Sequence, residues 1–230
     1  MSRSSQQARD PAMQPMLQLL AGTQGDDKHD PSALSILDVV WVLYQRVLRH
    51  DPADPRAEWR DRFLVSKGHG PIGLYAVLAD RGFFPAEELT RFLDYDGTLG
   101  GHPDRNLVPG IEVSTGSLGH GFPMAVGVAL ALQVKHSDRR VFVLVGDGEA
   151  NEGSVWETAL LAGSLELPNL TAILIDNGSS TRPLGDAAAK FSAFGWVAST
   201  IDGRDHAAIE AALRARDATR PSLVVAVVDR

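Results

Sequence analysis

Between residues 32 and 49, apolar side chains recur at helical spacing, at Leu34, Leu37, Val40, Trp41, Tyr44, Val47 and Leu48, and Ser32 or Asp30 can cap such a helix. Asp51-Pro52-Ala53-Asp54-Pro55 ends it. Phe63-Leu64-Val65 reads as a short strand, and residues 72–80 and 85–93 read as helices. Residues 94–121 are rich in glycine and have no clear period, which predicts a long loop of the kind that serves a site. An apolar helix is expected over 122–135. The unbroken run Val141-Phe142-Val143-Leu144-Val145 then predicts a strand buried on both faces. A helix at 152–166, a strand at 170–175, a short helix at 187–194, strands at 196–201 and 222–228 and a helix at 205–217 complete the pattern. Strand–helix alternation of this kind predicts an α/β fold, a mostly parallel central sheet with helices on both faces. Residues 1 to about 15 are polar and are expected to be loose.

Composition narrows the functional classes. With 230 residues, 44% of them hydrophobic and 22% charged, the chain can bury one core. A net charge of −7 disfavours a nucleic-acid partner. There is no cysteine, which excludes disulfides, thiolate ligands and a thiol nucleophile within these residues. Neither a signal-peptide pattern nor an apolar run of membrane-spanning length is present, so the expectation is a cytoplasmic protein with no membrane partner.

The strongest chemical signal begins where the strand at 141–145 ends, in Gly146-Asp147-Gly148-Glu149-Ala150-Asn151-Glu152-Gly153; the next strand ends in Asp176-Asn177-Gly178-Ser179. Ligands of open parallel sheets bind at the carboxyl ends of strands. If the two strands are neighbours, Asp147 and Asn177 can share one cation. Hard oxygen ligands of this kind suit Mg²⁺ or Ca²⁺, which would also hold phosphate oxygens. Gly146 and Gly148 allow close backbone approach to an anion. On its own Gly146-Asp147-Gly148 also fits a tight turn in a generic α/β protein; the second strand-end motif favours a metal–diphosphate site. A dinucleotide fold is disfavoured because Gly-x-Gly-x-x-Gly is missing from the turn.

These two motifs resemble the thiamine diphosphate signature, and the surrounding residues resemble transketolases. Arg62-Phe63-Leu64-Val65-Ser66-Lys67-Gly68-His69 and Gly101-His102-Pro103-Asp104 look like that family's two histidine motifs. Pro109-Gly110-Ile111-Glu112-Val113-Ser114-Thr115-Gly116-Ser117-Leu118-Gly119-His120-Gly121 looks like its cofactor loop. Glu152 to Glu157, Leu167 to Leu170, Phe194-Gly195-Trp196 and Ile201-Asp202-Gly203 extend the likeness, which covers roughly residues 28–228.

The resemblance implies a thiamine-diphosphate-binding fold, with residues 1–27 as an extension and 28–230 as the pyrophosphate-binding domain. It implies metal ligation by Asp147, Asn177 and the Ser179 carbonyl. The cofactor site would be lined by His69, Gly116, Ser117, Leu118, Gly146, Asp147, Gly148, Glu149 and Asn177. His29, His69 and His102 would face the substrate, and Glu152 and Glu157 would join a glutamate network between paired active sites. The match at His29 is weaker, because Lys28, Asp30 and Pro31 depart from the family's glycine-rich pattern. His50, His136 and His206 read as surface or structural residues, His120 as a neighbour of the cofactor loop, and Trp156 as core. Without the resemblance, Glu152 and Glu157 fit ordinary first-turn helix carboxylates.

The implied activity is transfer of a two-carbon ketol unit from a ketose or ketose phosphate to an aldehyde. The family's pyrimidine-binding domain lies beyond the matched region. The expectation is therefore a partner chain carrying it, in an α2β2 assembly, and no turnover by this chain alone. Two alternatives stand beside it: another thiamine-dependent ketol or acyl transferase subunit, and a cofactor-binding subunit without catalysis. Three departures bear on them: a short segment from Ser180 to Lys190 with Arg182-Pro183, Thr181 in place of a larger apolar residue, and a C-terminal Asp229-Arg230.

Overall fold

The computed structural model describes residues 10–22 and 30–228. Five strands, β1 (Arg62–Val65), β2 (Val141–Gly146), β3 (Leu170–Asp176), β4 (Val197–Asp202) and β5 (Ser222–Val227), form one sheet in the order β1-β2-β3-β5-β4. Every pairing is parallel. The α/β class with a parallel sheet is as the pattern predicts. β2 is buried at all six positions, as its unbroken apolar run requires.

Helices α1 (Gln14–Ala21), α2 (Asp30–Val42), α3 (Ile72–Asp80) and α7 (His206–Arg214) cover one face. They meet Phe63, Val65, Phe142, Leu144, Ile173 and Val224 in one apolar cluster. Helices α4 (Gly121–Val134), α5 (Gly153–Ser164) and α6 (Ala187–Ala193) cover the other, against Leu64, Val143, Val145, Leu174 and Val225. Successive strand residues thus alternate between two cores, the period-two rule applied to a sheet covered on both sides.

Three elements differ from the sequence expectation. Of the tail expected to be loose, residues 1–9 lie outside the described residues, whereas Pro11–Met13 and α1 form a helical arm: Asp10 accepts from the Ala12 amide at 2.8 Å, and Met13 and Met16 are fully buried. Two buried methionines in a short polar segment give too little periodicity to predict this. The helix expected over 32–49 leaves α geometry at Leu43–Val47, where Leu48 N donates to Leu43 O at 2.8 Å and widens the last turn. The helix expected over 85–93 is a 3₁₀ run, Ala86–Arg91, closed off by Leu93 in the left-handed region. No helix among the described residues is long and apolar enough to cross a membrane.

Candidate active site

The carboxyl ends of the neighbouring strands β1, β2 and β3 line a cavity of about 300 Å³, bounded by Lys67, His69, Leu118, Asp147, Glu149 and Asn177 among others. Parallel pairing aligns Gly146 with Ile175, and the Asp147 amide extends the ladder to Ile175 O at 3.0 Å. The Asp147 side chain therefore emerges beside the 177–180 turn. Its Oδ1 accepts from Ser179 Oγ at 2.5 Å and Gly148 N at 2.7 Å; its Oδ2 accepts from Ser179 N at 2.7 Å and Ser180 N at 3.1 Å. Ser179 N also donates to Asn177 Oδ1 at 3.2 Å. One amide is thus shared by the carboxylate and the carboxamide, so their oxygens converge on one point.

Glu149 is the second buried carboxylate. Its Oε1 accepts from Ser66 Oγ and from Gly119 N at 2.8 Å, and its Oε2 from Gly146 N at 3.2 Å. Burial raises its pKa, and these donors and the Lys67 charge oppose the rise. Glu149 ties together the β1 tip, the β2 tip and the loop before α4.

Lys67, for which the sequence reading names no role, lies in the same cavity and is 7% exposed. Its Nζ donates to Ser32 Oγ, to Ser32 O at 3.1 Å and to His69 O at 3.4 Å. Burial pulls its pKa down to about 8, against the attraction of Asp147 and Glu149. A lysine directly before Gly68-His69 is visible in the sequence; its burial depends on Ser32 of α2 coming up against it.

His69 is half-buried in the cavity wall, and the His102 ring stands edge-on to it, with centroids 5.2 Å apart. A Cβ on Gly116 would lie 2.8 Å from the His102 ring, and one on Gly68 would lie 2.8 Å from Gly116 N. Only glycine at both positions lets the cofactor loop cross the histidine motif so closely. The buried Tyr75 hydroxyl holds the carbonyls of Gly100 and His102, each at 3.0 Å, a support with no signature in the sequence.

The structure therefore gathers His69, Leu118, Gly146, Asp147, Gly148, Glu149, Asn177 and Ser179 around one cavity, with His102 and Gly116 beside it. Ser117 is exposed and does not line it. Glu152 and Glu157 lie at the start and on the exposed side of α5, outside the cavity. His29 lies outside the described residues. His206 and His50 are structural: His206 bonds Asp38 at 3.0 Å and stacks on Trp41, and His50 stacks on Phe83. His120 is exposed, with Nδ1 2.9 Å from Leu118 O. Trp156 is only half-buried, so it flanks the core rather than filling it.

The donor set fits a divalent cation with a diphosphate. Among the described residues no cluster of three or more His, Cys, Asp or Glu could hold a metal. The convergent set is one carboxylate and one amide oxygen beside a serine turn, which leaves coordination positions for phosphate oxygens. Lys67 adds a fixed cation.

Residues 16–228 match the family described as "Transketolase, thiamine diphosphate binding domain". The chain is 40% identical over 209 residues to 6-deoxy-6-sulfo-D-fructose transketolase subunit SqwG of Clostridium sp. (strain MSTE9), covering 86% of this chain and 75% of that protein. It is 45% identical over 214 residues to a Rhodococcoides fascians protein named Ferredoxin fas2, covering 92% and 70% respectively. The name does not transfer, since these 230 residues contain no cysteine to hold an iron–sulfur cluster. The transketolase of Campylobacter jejuni superposes with a TM-score of 0.80 at 27% identity, over 95% of this chain and 38% of that one. The chain thus spans little more than a third of the solved transketolases it resembles. With its thiamine-diphosphate motif at the tips of β2 and β3, the chain belongs to the transketolase family as its thiamine-diphosphate-binding domain.

Proposed function

We propose that this chain is the N-terminal, cofactor-anchoring subunit of a two-component transketolase that moves a two-carbon ketol unit from a ketose or ketose phosphate to an aldehyde. The observation that carries the reading is the convergence of Asp147 and Asn177 at adjacent strand tips beside buried Lys67. In this reading Asp147, Asn177 and the Ser179 carbonyl hold Mg²⁺, with Ca²⁺ as the competing ion. Thiamine diphosphate, once bound, supplies the carbanion chemistry. Gly148, Glu149 and Leu118 shape the diphosphate cradle, while Lys67 balances its charge. His69 lines the cavity and the His102 ring stands against it, and in this reading the two imidazoles exchange protons with substrate hydroxyls. His29, Ser117, Glu152 and Glu157 keep the roles that the resemblance implies.

A second chain is supported in two ways. SqwG is named as a subunit, and so is the apulose-4-phosphate transketolase protein of Phocaeicola vulgatus. On this chain, Met124, Leu130 and Val134 of α4 and Leu160 and Leu161 of α5 are exposed on touching helices, an apolar face of the kind that partners cover. The partner would carry the pyrimidine-binding domain, in an α2β2 complex in the cytoplasm.

The test is calorimetric titration with thiamine diphosphate and Mg²⁺. Saturable binding is expected, weakened at least tenfold in Asp147→Ala. Equal affinity in both proteins would overturn the site. Ketol transfer is expected only when a pyrimidine-domain partner is added, and steady-state turnover without one would refute the two-component reading.

A further inference from the structure

A second cavity, of about 320 Å³, lies away from the diphosphate cradle, between the segment around residues 54–60 and the loop 105–112. Three arginines, Arg56, Arg60 and Arg105, line it, with Asp54 and Glu112 as its only carboxylates. Glu112 is committed to Arg60, and Asp54 accepts from the Arg56 amide at 3.2 Å rather than from a guanidinium. Among the described residues, the guanidiniums of Arg56 and Arg105 form no ion pair or hydrogen bond. Arg60 Nε is enclosed without a partner. Pro55, Leu107, Val108 and Ile111 supply apolar wall. On a chain of net charge −7, this sets two uncommitted guanidiniums, those of Arg56 and Arg105, beside the paired Arg60 in one concave site.

We propose that this groove binds a small organic anion, a phosphate monoester or carboxylate. Guanidinium forks match both groups in bidentate geometry, and the apolar wall accommodates a short carbon skeleton. The volume is at the small-ligand end of the usual range, which favours a metabolite over an acidic peptide.

The location gives such a ligand a consequence. Residues 103–115 form a closed loop whose neck is fastened by Thr115 N to Pro103 O at 3.2 Å, Ser114 Oγ to Asp104 Oδ1 at 3.3 Å and Arg105 N to Ser114 Oγ at 3.0 Å. The neck adjoins His102 and Gly116, beside the active cavity; the belly of the loop lines the groove. An anion held at Arg105 therefore rests on the same loop that positions His102.

The experiment is amide NMR of the full chain titrated with inorganic phosphate and, separately, glycerol 1-phosphate. Saturable shifts are expected at residues 56–60 and 105–112. Arg105→Gln and Arg56→Gln alter exposed side chains without partners, so both variants should fold; each should weaken the response about tenfold. Their affinity for thiamine diphosphate with Mg²⁺ should stay at the wild-type value, which separates this groove from the cradle. Shifts confined to 146–148 and 177–180, or unchanged affinity in both variants, would overturn the proposal. So would a response to a glutamate-rich peptide with none to either phosphate.

Discussion

Replacing Lys67 with methionine tests the electrostatics of the cradle before any cofactor is added. Lys67 is 7% exposed, and burial lowers its pKa from 10.5 to about 8. In the unfolded chain the ammonium keeps its ordinary value. Below pH 8 the lysine is charged in both states, and folding carries the full penalty of burying it. As pH rises from 8 to 10.5 the unfolded chain binds more protons than the folded one, so this penalty fades. Above 10.5 it is gone. The difference between the two pKa values corresponds to about 3 kcal/mol, recovered at up to about 1.4 kcal/mol per pH unit. Methionine has similar length and no titration. The stability gap between Lys67→Met and wild type should therefore move by about 3 kcal/mol in favour of wild type between pH 7.5 and pH 10.5. The lost hydrogen bonds to Ser32 and His69 set the absolute gap at low pH. Urea midpoints at half-unit pH steps, with chelator present, measure the change. Parallel stability curves for the two proteins would refute the assignment of a buried, charge-penalised lysine. The same variant should bind thiamine diphosphate with Mg²⁺ about tenfold more weakly or worse, because a charge-assisted contact is lost.

Three other substitutions probe the frame around the site. Gly121→Ala places a Cβ 2.6 Å from Ser66 Cα, and backbone cannot yield cheaply there; a loss of about 1–3 kcal/mol is expected in urea unfolding. Glu149→Gln keeps the shape but offers an NH₂ where Glu149 now accepts from Ser66, Gly119 and Gly146. At least one donor then faces another donor, for a loss of about 1–3 kcal/mol by the same measurement and weaker cofactor binding by calorimetry. Asp38→Ala removes a fully buried carboxylate that holds Arg204 at 2.5 Å and His206 at 3.0 Å; a loss of about 3–5 kcal/mol is expected, read as a fall in thermal midpoint.

Most of the sheet was legible because β2, β3 and β5 are buried on both sides and wrote continuous apolar runs. The positions of Asp147 and Asn177 followed from the rule that chemistry gathers at strand tips, and adjacency of β2 and β3 brought them together. What the sequence hid depends on long-range packing. Met13 and Met16 look like part of a polar tail until α3 is placed beneath them. Lys67 carries no local sign of burial, which follows only when Ser32 arrives from α2 to accept its hydrogen bonds. Asp38 and His206, 168 residues apart, carry no local sign of pairing. The order β3-β5-β4 is likewise a matter of tertiary return, since strand patterns alone do not say which strand inserts.

The division of labour between the two buried carboxylates follows from their partners. Glu149 is saturated by three donors drawn from three separate segments, so moving it would loosen the β1 tip, the β2 tip and the cofactor loop at once. Asp147 takes its donors from Gly148 and from the short turn that follows Asn177, a single local segment that can shift without disturbing the sheet. A carboxylate that must exchange hydrogen bonds for a cation needs neighbours of the second kind. On the proposed reading this asymmetry suits Asp147 to metal ligation and Glu149 to architecture, although the two lie two residues apart in one motif and are similarly buried. If it is right, Asp147→Asn should lose Mg²⁺-dependent cofactor binding with a smaller fall in the urea midpoint than Glu149→Gln, although its new NH₂ also faces donors; a larger stability loss in Asp147→Asn than in Glu149→Gln would reverse the assignment.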